Sequence, residues 1–493
     1  MKLEQLLEGV PFTLVQGSLD TEVQDIIYDS RKAAPGLAFV CIVGTQRDSH
    51  EFAADCAAKG VSVLVIQHDI DLSAMPGVTV VKVESSRYAM ALMSGNLFGN
   101  PSRQMTMIGV TGTKGKTTTT HMIKNVLEAA GKKVGMIGTN GIYFMGRHQE
   151  TSNTTPESYE LQKTFRQFLD AGCDVALMEV SSQGLMMDRV AGVHYDIGVF
   201  TNLSPDHIGP GEHKTFEEYR SWKGQLFRRC DVGVVNIDDE NTEALLEGHT
   251  CKLVTYGRSE KADYRAEGCE LLRTHDFLGV AFHVSGRDNM DVRVNMPGEF
   301  SVYNALAALA VGKVLGLPDA AIHEGLGKCV VKGRVELVPI SKKFTILLDY
   351  AHNEVSTESL LTTMRQQEQS LLVEQARSLF LEEWLFAQDL DWSAFAERGA
   401  LLDIDIREPK RIAILEYEPR GTAQPPELHG GRLLQMAQRY VQGEQTLCAV
   451  VNRRLLLVFG PEQKALEVLK QFQQAAESFY EVTLSGGLSS LSR

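Results

Sequence analysis

The sequence predicts an α/β protein: a small N-terminal α/β domain, a central parallel-sheet domain of the P-loop ATPase type, and a C-terminal ferredoxin-like βαββαβ domain. Three observations carry this expectation. Short β-branched runs alternate with helical stretches through most of the chain, the pattern of parallel strands covered by helices. A glycine-rich turn, Gly109–Thr118, lies between a strand and a helix. After about residue 366 the order becomes strand, helix, strand, strand, helix, strand, the split βαβ plan with an antiparallel sheet.

Length and composition bound the reading. At about 100–200 residues per domain, 493 residues imply three or four domains, each large enough for its own core. Hydrophobic residues make up 43% and charged residues 23% of the chain, and mean hydropathy is -0.12, all ordinary for a globular protein. No apolar run approaches the ~20 residues of a membrane span, and the N-terminus lacks the basic start and cleavage site of a secretory signal, which points to the cytoplasm. The eight cysteines show no CxxC pairing, which fits reduced thiols rather than a disulfide frame or a zinc site. A formal charge of -14 without a basic run argues against a nucleic-acid partner and leaves small phosphates as the anions to consider. Oligomeric state is not legible.

The elements follow in order. Residues 1 to about 100 hold the strands LAFVCIVG, VSVLVIQ and VTVVKV and leave through Gly-Asn-Pro-Ser, a separate small α/β domain. Residues 101–340 form the central domain. Met105–Val110 reads as a buried strand, and Thr117–Ala130 as a helix with Met122, Ile123, Val126 and Leu127 on one face, stopped by Gly131. KVGMIG, DVALMEV, DIGVFTN and DVGVVN are further strands, and Gly298–Gly316 is strongly helical. In such a sheet ligands bind beyond the carboxyl ends of the strands, so Glu179, Asn202, Asp206 and His207 are expected to converge there. Residues 341–366, with the strand FTILLDYAHN, begin a further segment. Residues 367–493 read as helix QQEQSLLVEQARSLFLEEWLFAQ, strand RIAILEYE, helix GRLLQMAQRY, strands TLCAVV and LLLVFG, helix PEQKALEVLKQFQQAAESF and strand EVTLSGG.

The strongest chemical motif is Gly109-Val-Thr-Gly112-Thr113-Lys114-Gly115-Lys116-Thr117-Thr118. Glycines let backbone N–H groups approach phosphate oxygens, the helix N-terminus adds positive dipole, Lys116 reaches terminal phosphates and Thr117 suits Mg²⁺. Gly109 lies one residue too early for the strict GxxxxGK[ST] spacing, and Val110 stands at the expected glycine position.

That loop, GVTGTKGKTTT, resembles the nucleotide loop of the Mur ligase family, which also includes folylpolyglutamate synthetases. TSNTTPES, MEVSSQGL, DRVAG, TNLSPDHI, GEFSVYNALAA, DYAHN and an N-terminal DSRKAAPGLAFVCIVG resemble, in family order, the branch that adds the third amino acid to UDP-N-acetylmuramoyl-L-alanyl-D-glutamate. The resemblance covers about residues 1–365. It implies ATP as cosubstrate, Mg²⁺ held by Thr117, Glu179, His207 and a carbamylated Lys223, and Lys116 as the catalytic phosphate-binding lysine. It implies nucleotide contacts from Gly112–Thr118, Asn304, Arg334 and Asp349. It implies UDP-muramoyl-dipeptide contacts from Ser30, Asn153, Thr154, Thr155, Ser181 and Arg189. An amino acid, diaminopimelate or lysine, is the remaining partner.

The chain also departs from the family. Gln183 stands where the SSHxL motif has histidine, and PDHIGPGEH replaces RDHLDYHG. The family's third domain is not recognisable after about residue 366. Residues 367–493 instead resemble the degenerate GGDEF-type domain of sugar-diacid and purine-catabolism transcription regulators, so the chain reads as two joined fragments. Two functions compete: an ATP-dependent ligase, and a nucleotide- or UDP-muramoyl-peptide-binding protein with impaired turnover and a C-terminal interaction module.

Overall fold

The structure, a computed structural model, describes residues 1–44, 47–209, 211–273, 278–334, 336–338 and 346–349, and beyond them chiefly 392–401, 411–419, 447–451, 454–459, 464–480 and 482–489. They divide into two compact units, residues 1–270 with 279–336, and residues 271–278 with 337–493.

The first unit contains two sheets. The N-terminal one has strands β1 (Phe12–Gln16), β2 (Asp25–Ile27), β3 (Leu37–Val40), β4 (Val63–Ile66) and β5 (Thr79–Val83), in the order β1-β5-β4-β3-β2. β2 to β5 are parallel and β1 is antiparallel at the edge. β4 is buried along its whole length because both faces of the sheet are covered, which is why it reads as an unbroken apolar run. Helices α1 (Leu3–Leu6) and α3 (Ser86–Leu97) supply Leu3, Leu6, Ala89, Met90 and Met93 to one core, and α2 (Ala53–Ala58) supplies Cys56 to the other.

The central sheet comprises β6 (Thr106–Thr111), β7 (Val134–Gly138), β8 (Gly141–Phe144), β9 (Arg147–Gln149), β10 (Val175–Glu179), β11 (Tyr195–Phe200), β12 (Cys230–Asn236), β13 (Lys252–Gly257), β14 (Tyr264–Arg273), β15 (Leu278–Gly286) and β16 (Met290–Val294). Its order is β16-β15-β14-β13-β12-β11-β6-β10-β7-β8-β9. The stretch from β7 to β14 is parallel, as expected from sequence. β6 is central: the chain goes first to β10 and β7 on one side, then to β11, β12 and β13 on the other. The reversal opens a crevice beyond the carboxyl end of β6, and there the chain turns into helix α4 (Lys116–Ala129). The remaining helices of this unit are α5 (Ser158–Asp170), α6 (Ser182–Met186), α7 (Phe216–Gly224), α8 (Thr242–Leu245), α9 (Glu299–Val314) and α10 (Asp319–Gly327).

The expected helices over 117–130 and 298–316 are present as α4 and α9, shifted by one or two residues at their ends. The hairpin β8–β9 and the antiparallel pair β15–β16 were not anticipated. β16 alternates buried and exposed residues along MDVRV, the mark of a half-solvated strand, and only continuous apolar runs had been read as strands.

The second unit begins with the paired strands β17 (Glu336–Val338) and β18 (Ile346–Leu348), so of FTILLDYAHN only Ile346–Asp349 and Phe344's neighbours outside it are separable: the rest of that segment lies outside the described residues. It continues with α11 (Trp392–Leu401), β19 (Arg411–Pro419), β20 (Leu447–Val451), β21 (Arg454–Phe459), α12 (Ala465–Tyr480) and β22 (Val482–Leu488). Leu433, Met436 and Ala437, between β19 and β20, are helical. The sheet is antiparallel in the order β20-β21-β19-β22, the ferredoxin-like arrangement expected from the element order. Ala413, Leu455, Leu457 and Phe459 of the sheet pack with Phe472 and Ala476 of α12 in one core. Most of the expected helix QQEQSLLVEQARSLFLEEWLFAQ falls outside the described residues.

Close helix contact behind the crevice depends on one glycine. A Cβ at Gly325 of α10 would stand 2.5 Å from the Val126 backbone of α4, whereas one at Gly327 would meet nothing closer than 3.9 Å. Gly325→Ala should therefore destabilise the protein by about 1–3 kcal/mol. Gly327→Ala should be neutral or stabilising by about 0.4–1 kcal/mol. Urea unfolding of the two variants against the parent checks the contrast.

Candidate active site

The turn after β6 folds as a phosphate loop because its glycines permit it. Gly112 has φ +147° and Gly115 φ +81°. A Cβ at Gly112 would lie 2.0 Å from Thr201 Oγ1, and one at Gly115 would lie 2.6 Å from Asn304 Oδ1. The loop is held from β11's end: Thr113 N donates to Asn202 O at 2.8 Å, Lys114 N to Asn202 Oδ1 at 2.9 Å, and Thr201 Oγ1 to Lys114 O at 2.7 Å. Lys114 Nζ and Asp206 are 3.2 Å apart, so Asn202 and Asp206 do reach the crevice as expected.

Two lysine amines meet at one carbonyl. Lys116 Nζ donates to Gly112 O and Thr113 O at 2.9 Å each, and Lys223 Nζ donates to the same Gly112 O at 2.9 Å. Lys223 is 2% exposed, and its amine lies 4.6 Å from the centroid of the Tyr219 ring, one helical turn earlier in α7. Burial, reinforced by the positive charge of Lys116, pushes the Lys223 amine well below the ordinary lysine range. Burial also lowers Lys116, with Glu179 opposing. Lys223 is thus the amine that becomes neutral, and its position excludes a solvated helix lysine.

Glu179, 1% exposed at the end of β10, faces the start of α4. Its carboxylate accepts from Thr117 Oγ1 at 3.2 Å, Thr139 N at 2.9 Å and Thr139 Oγ1 at 3.2 Å. Thr118 is also buried, and Thr119 Oγ1 donates to Asn304 Oδ1 at 3.2 Å. Asn304 is thereby set against the phosphate loop rather than out toward a nucleoside base. Arg334 lies near enough to act on the charge of Lys116. Asp349 is exposed and belongs to the second unit.

His207 departs from expectation. It takes a left-handed conformation, φ +54°, its side chain is 51% exposed, and its Nδ1 lies 3.0 Å from Glu212 Oε1. It makes no hydrogen bond to Glu179 or Thr117, because the rebuilt HIGPGEH turn closes on itself through Glu212. Among the other expected substrate residues, Ser30 opens a single helical turn after Asp29, whose carboxylate is gripped by Arg31. Asn153 is exposed, and Thr154 Oγ1 sits 3.0 Å from Thr139 Oγ1, on the edge of the Glu179 cluster. Thr155 is 1% exposed; its hydroxyl donates to Glu179 O and accepts from Ser181 N, both at 3.0 Å. That hydroxyl is committed to the backbone, which corrects its expected role as a substrate contact. Ser181 Oγ caps α6 by accepting from Gly184 N at 3.0 Å. Arg189 is paired with Glu157 at 2.7 Å and donates to Thr155 O at 3.0 Å, leaving its Nε buried without a partner.

Sequence reasoning missed three residues. Thr139 follows β7 and could have been found by the same strand-end rule that gave Glu179. Tyr219, which bonds Thr113 Oγ1 at 3.1 Å through its hydroxyl, lies four residues before Lys223 and shares its helix face. His213 carries no local signal.

A phosphate loop at the switch point of a parallel sheet, with a buried carboxylate beside its threonine, defines a protein that binds the phosphates of a nucleotide. Residues 110–312 match the Mur ligase middle domain. A UDP-N-acetylmuramoyl-L-alanyl-D-glutamate--2,6-diaminopimelate ligase of Clostridium perfringens (strain 13 / Type A) is 38% identical over 372 residues, which cover 74% of this chain and 75% of the relative. The ligase of the same name from Geobacillus thermodenitrificans (strain NG80-2) is 39% identical over 377 residues, with 74% and 75% covered. The chain belongs to the Mur ligase family, a family of ATP-dependent amino-acid ligases. Its fold agrees: a solved structure of a ligase of the same name superposes with a TM-score of 0.62 at 22% identity, covering 74% of each chain. A crystal structure of MurF from Acinetobacter baumannii gives 0.53 at 22% identity, covering 74% and 76%.

The loop geometry yields a direct test. Gly112→Ala would drive a methyl group into Thr201 Oγ1, so the loop must shift and its amides lose their aim. Binding of a fluorescent ATP analogue should weaken by about tenfold or more, a loss of about 1.4 kcal/mol, with the far-ultraviolet circular dichroism spectrum unchanged.

Proposed function

We propose that this chain is an ATP-dependent ligase that joins the third amino acid to UDP-N-acetylmuramoyl-L-alanyl-D-glutamate in peptidoglycan synthesis, and that it works in the cytoplasm. The observation that carries this reading is the buried Lys223 amine sharing the Gly112 carbonyl with Lys116. A phosphate loop alone serves many reactions, but a second lysine forced toward neutrality at the same carbonyl is suited to add CO₂, since only the deprotonated amine reacts. Carbamylation replaces a cation with an anion beside Lys116 and removes the repulsion between the two amines.

The residues present fit Mg²⁺. Thr117 and Glu179 offer oxygen donors that already touch, the ligand type this hard cation takes, and carbamylated Lys223 would add another. His207 would join them after turning from Glu212. When bound, Mg²⁺ neutralises the charge of the phosphates. Lys116 and the amides of Gly112–Thr118 orient the triphosphate, with Asn304 and Arg334 flanking it and Asp349 contributing from the second unit. Ser30 is proposed to bind the uridine diphosphate. Asn153, Thr154, Ser181 and Arg189 are proposed to bind the muramoyl dipeptide, with Glu157 orienting Arg189 and Thr155 fixing Ser181.

In the reaction, an oxygen of the substrate carboxylate attacks the γ-phosphorus of ATP and ADP departs. The amino nitrogen of the incoming amino acid then attacks the acyl carbon, phosphate departs, and the nitrogen loses a proton. Both steps depend on positioned charge and excluded water, which the buried Glu179 and lysine pair supply. The relatives' names make diaminopimelate the first amino acid to try, with lysine second. Residues 1–100 are assigned to the UDP end, 101–340 to ATP, and 341–366 to a connection. Residues 367–493 are assigned to a GGDEF-like regulatory module. The ferredoxin-like sheet favours one further reading, a binding protein whose turnover is impaired because this module stands in place of the family's third domain.

Purified protein given ATP, Mg²⁺, bicarbonate, UDP-muramoyl dipeptide and diaminopimelate should form ADP and the tripeptide, and Lys116→Ala should abolish both. Tight binding of ATP without product in the parent protein would favour the impaired reading. With ¹³C-bicarbonate, NMR should show a carbamate signal that Lys223→Arg lacks. The lowered pKa leaves the amine neutral at a pH where an ordinary lysine is charged, so the signal should decline as pH falls and the amine takes up a proton. A signal that grows on acidification would reject the assignment.

A further inference from the structure

The loop that carries Asp206 and His207, between β11 and α7, is fastened at its far end by a second histidine. His213 is 0% exposed, and its Nε2 lies 2.9 Å from the hydroxyl of Ser182, the first residue of α6. Ser182 follows the Glu179 carboxylate closely in the chain. The backbone of His213 is tied to the other end of the same loop: His213 N donates to His207 O at 3.2 Å, and Gly209 N donates to His213 O at 3.1 Å. Its ring packs on Tyr219, with centroids 5.3 Å apart, and Tyr219 bonds Thr113 and underlies Lys223. Its Nδ1 is buried without a partner. A side chain that only filled this space would be apolar, since an unpaired buried nitrogen costs stability.

We propose that His213 is a positioning residue: its hydrogen bond to Ser182 pins the loop of Asp206 and His207 to the helix that follows Glu179. The bond thereby sets the separation between the loop's side chains and the Glu179 carboxylate. Neither His213 nor Ser182 touches substrate in this arrangement; both act through the residues they hold. The inference rests on reading the site as a Mg²⁺-ATP ligase centre. Contacts that orient metal-binding side chains typically change affinity or activity by about 10–100-fold when removed.

The test compares the full-length chain with His213→Ala, His213→Gln, Ser182→Ala and the double alanine variant. Mn²⁺ binding in the presence of a non-hydrolysable ATP analogue is followed by electron paramagnetic resonance, alongside kcat, KM and the melting midpoint. His213→Ala should weaken Mn²⁺ binding and lower kcat by about 10–100-fold, with the KM for UDP-muramoyl dipeptide little changed. His213→Gln, whose amide can reach Ser182, should recover most of the loss. Ser182→Ala should move both quantities the same way, and the double variant should be no worse than His213→Ala, because both changes remove one bond. Unchanged Mn²⁺ affinity in a folded His213→Ala variant overturns the proposal, as do additive effects or a glutamine variant no better than alanine. If His213→Ala does not fold, Ser182→Ala decides, and normal Mn²⁺ affinity there overturns it. A parent protein that binds nucleotide and Mn²⁺ but never ligates defeats the ligase reading, while the Mn²⁺ titrations still decide the role of His213.

Discussion

Two amines on the Gly112 carbonyl form the constraint around which the site is arranged. Lys116 and Lys223 each donate to that oxygen at 2.9 Å, one from the helix after the loop and one from a helix more than a hundred residues later. Two buried ammonium groups so placed repel each other, and burial adds to the cost of keeping both charged. The answer built into the structure is asymmetric. Lys116 keeps the carboxylate of Glu179 as an opposing charge, whereas Lys223 faces the Tyr219 ring and loses its proton more easily.

That arrangement requires the loop to stay where it is, and the surrounding residues explain how it does. Gly112 sits too close to Thr201 for any side chain, and Asn202 takes hydrogen bonds from two successive backbone amides of the loop. α4 starts with four threonines, which are poor helix formers. They are present for their hydroxyls: Thr117 serves Glu179, Thr119 serves Asn304, and Thr120 closes on Thr117 O at 2.8 Å. The helix survives this composition because Met122, Ile123, Val126 and Leu127 are fully buried and α10 approaches it at a glycine.

The substrate side of the site is organised through the same strand. Thr155 holds both Glu179 O and Ser181 N, so the end of β10 and the cap of α6 move as one piece. Glu157 then reaches Arg189, and through Arg87 at 3.4 Å it reaches α3, which covers the N-terminal sheet. A chain of polar contacts thus runs within the first unit from the carboxylate beside the phosphate loop to the N-terminal domain.

The sequence alone determined what is local. The phosphate loop, the helix after it, the apolar strands and Glu179 at a strand end are contiguous patterns whose physics is complete within about fifteen residues. The ferredoxin-like order of the C-terminal strands was legible for the same reason. Tertiary structure decided everything that depends on distant partners. Whether Lys223 is solvated or buried turns on Gly112 and Tyr219 closing over it. Thr155 spends its hydroxyl on the backbone because β10 ends beside it, and His207 faces Glu212 because the turn between them is rebuilt. The half-exposed strands β14–β16 escaped notice because their alternating residues acquire a buried face only when neighbouring strands supply it.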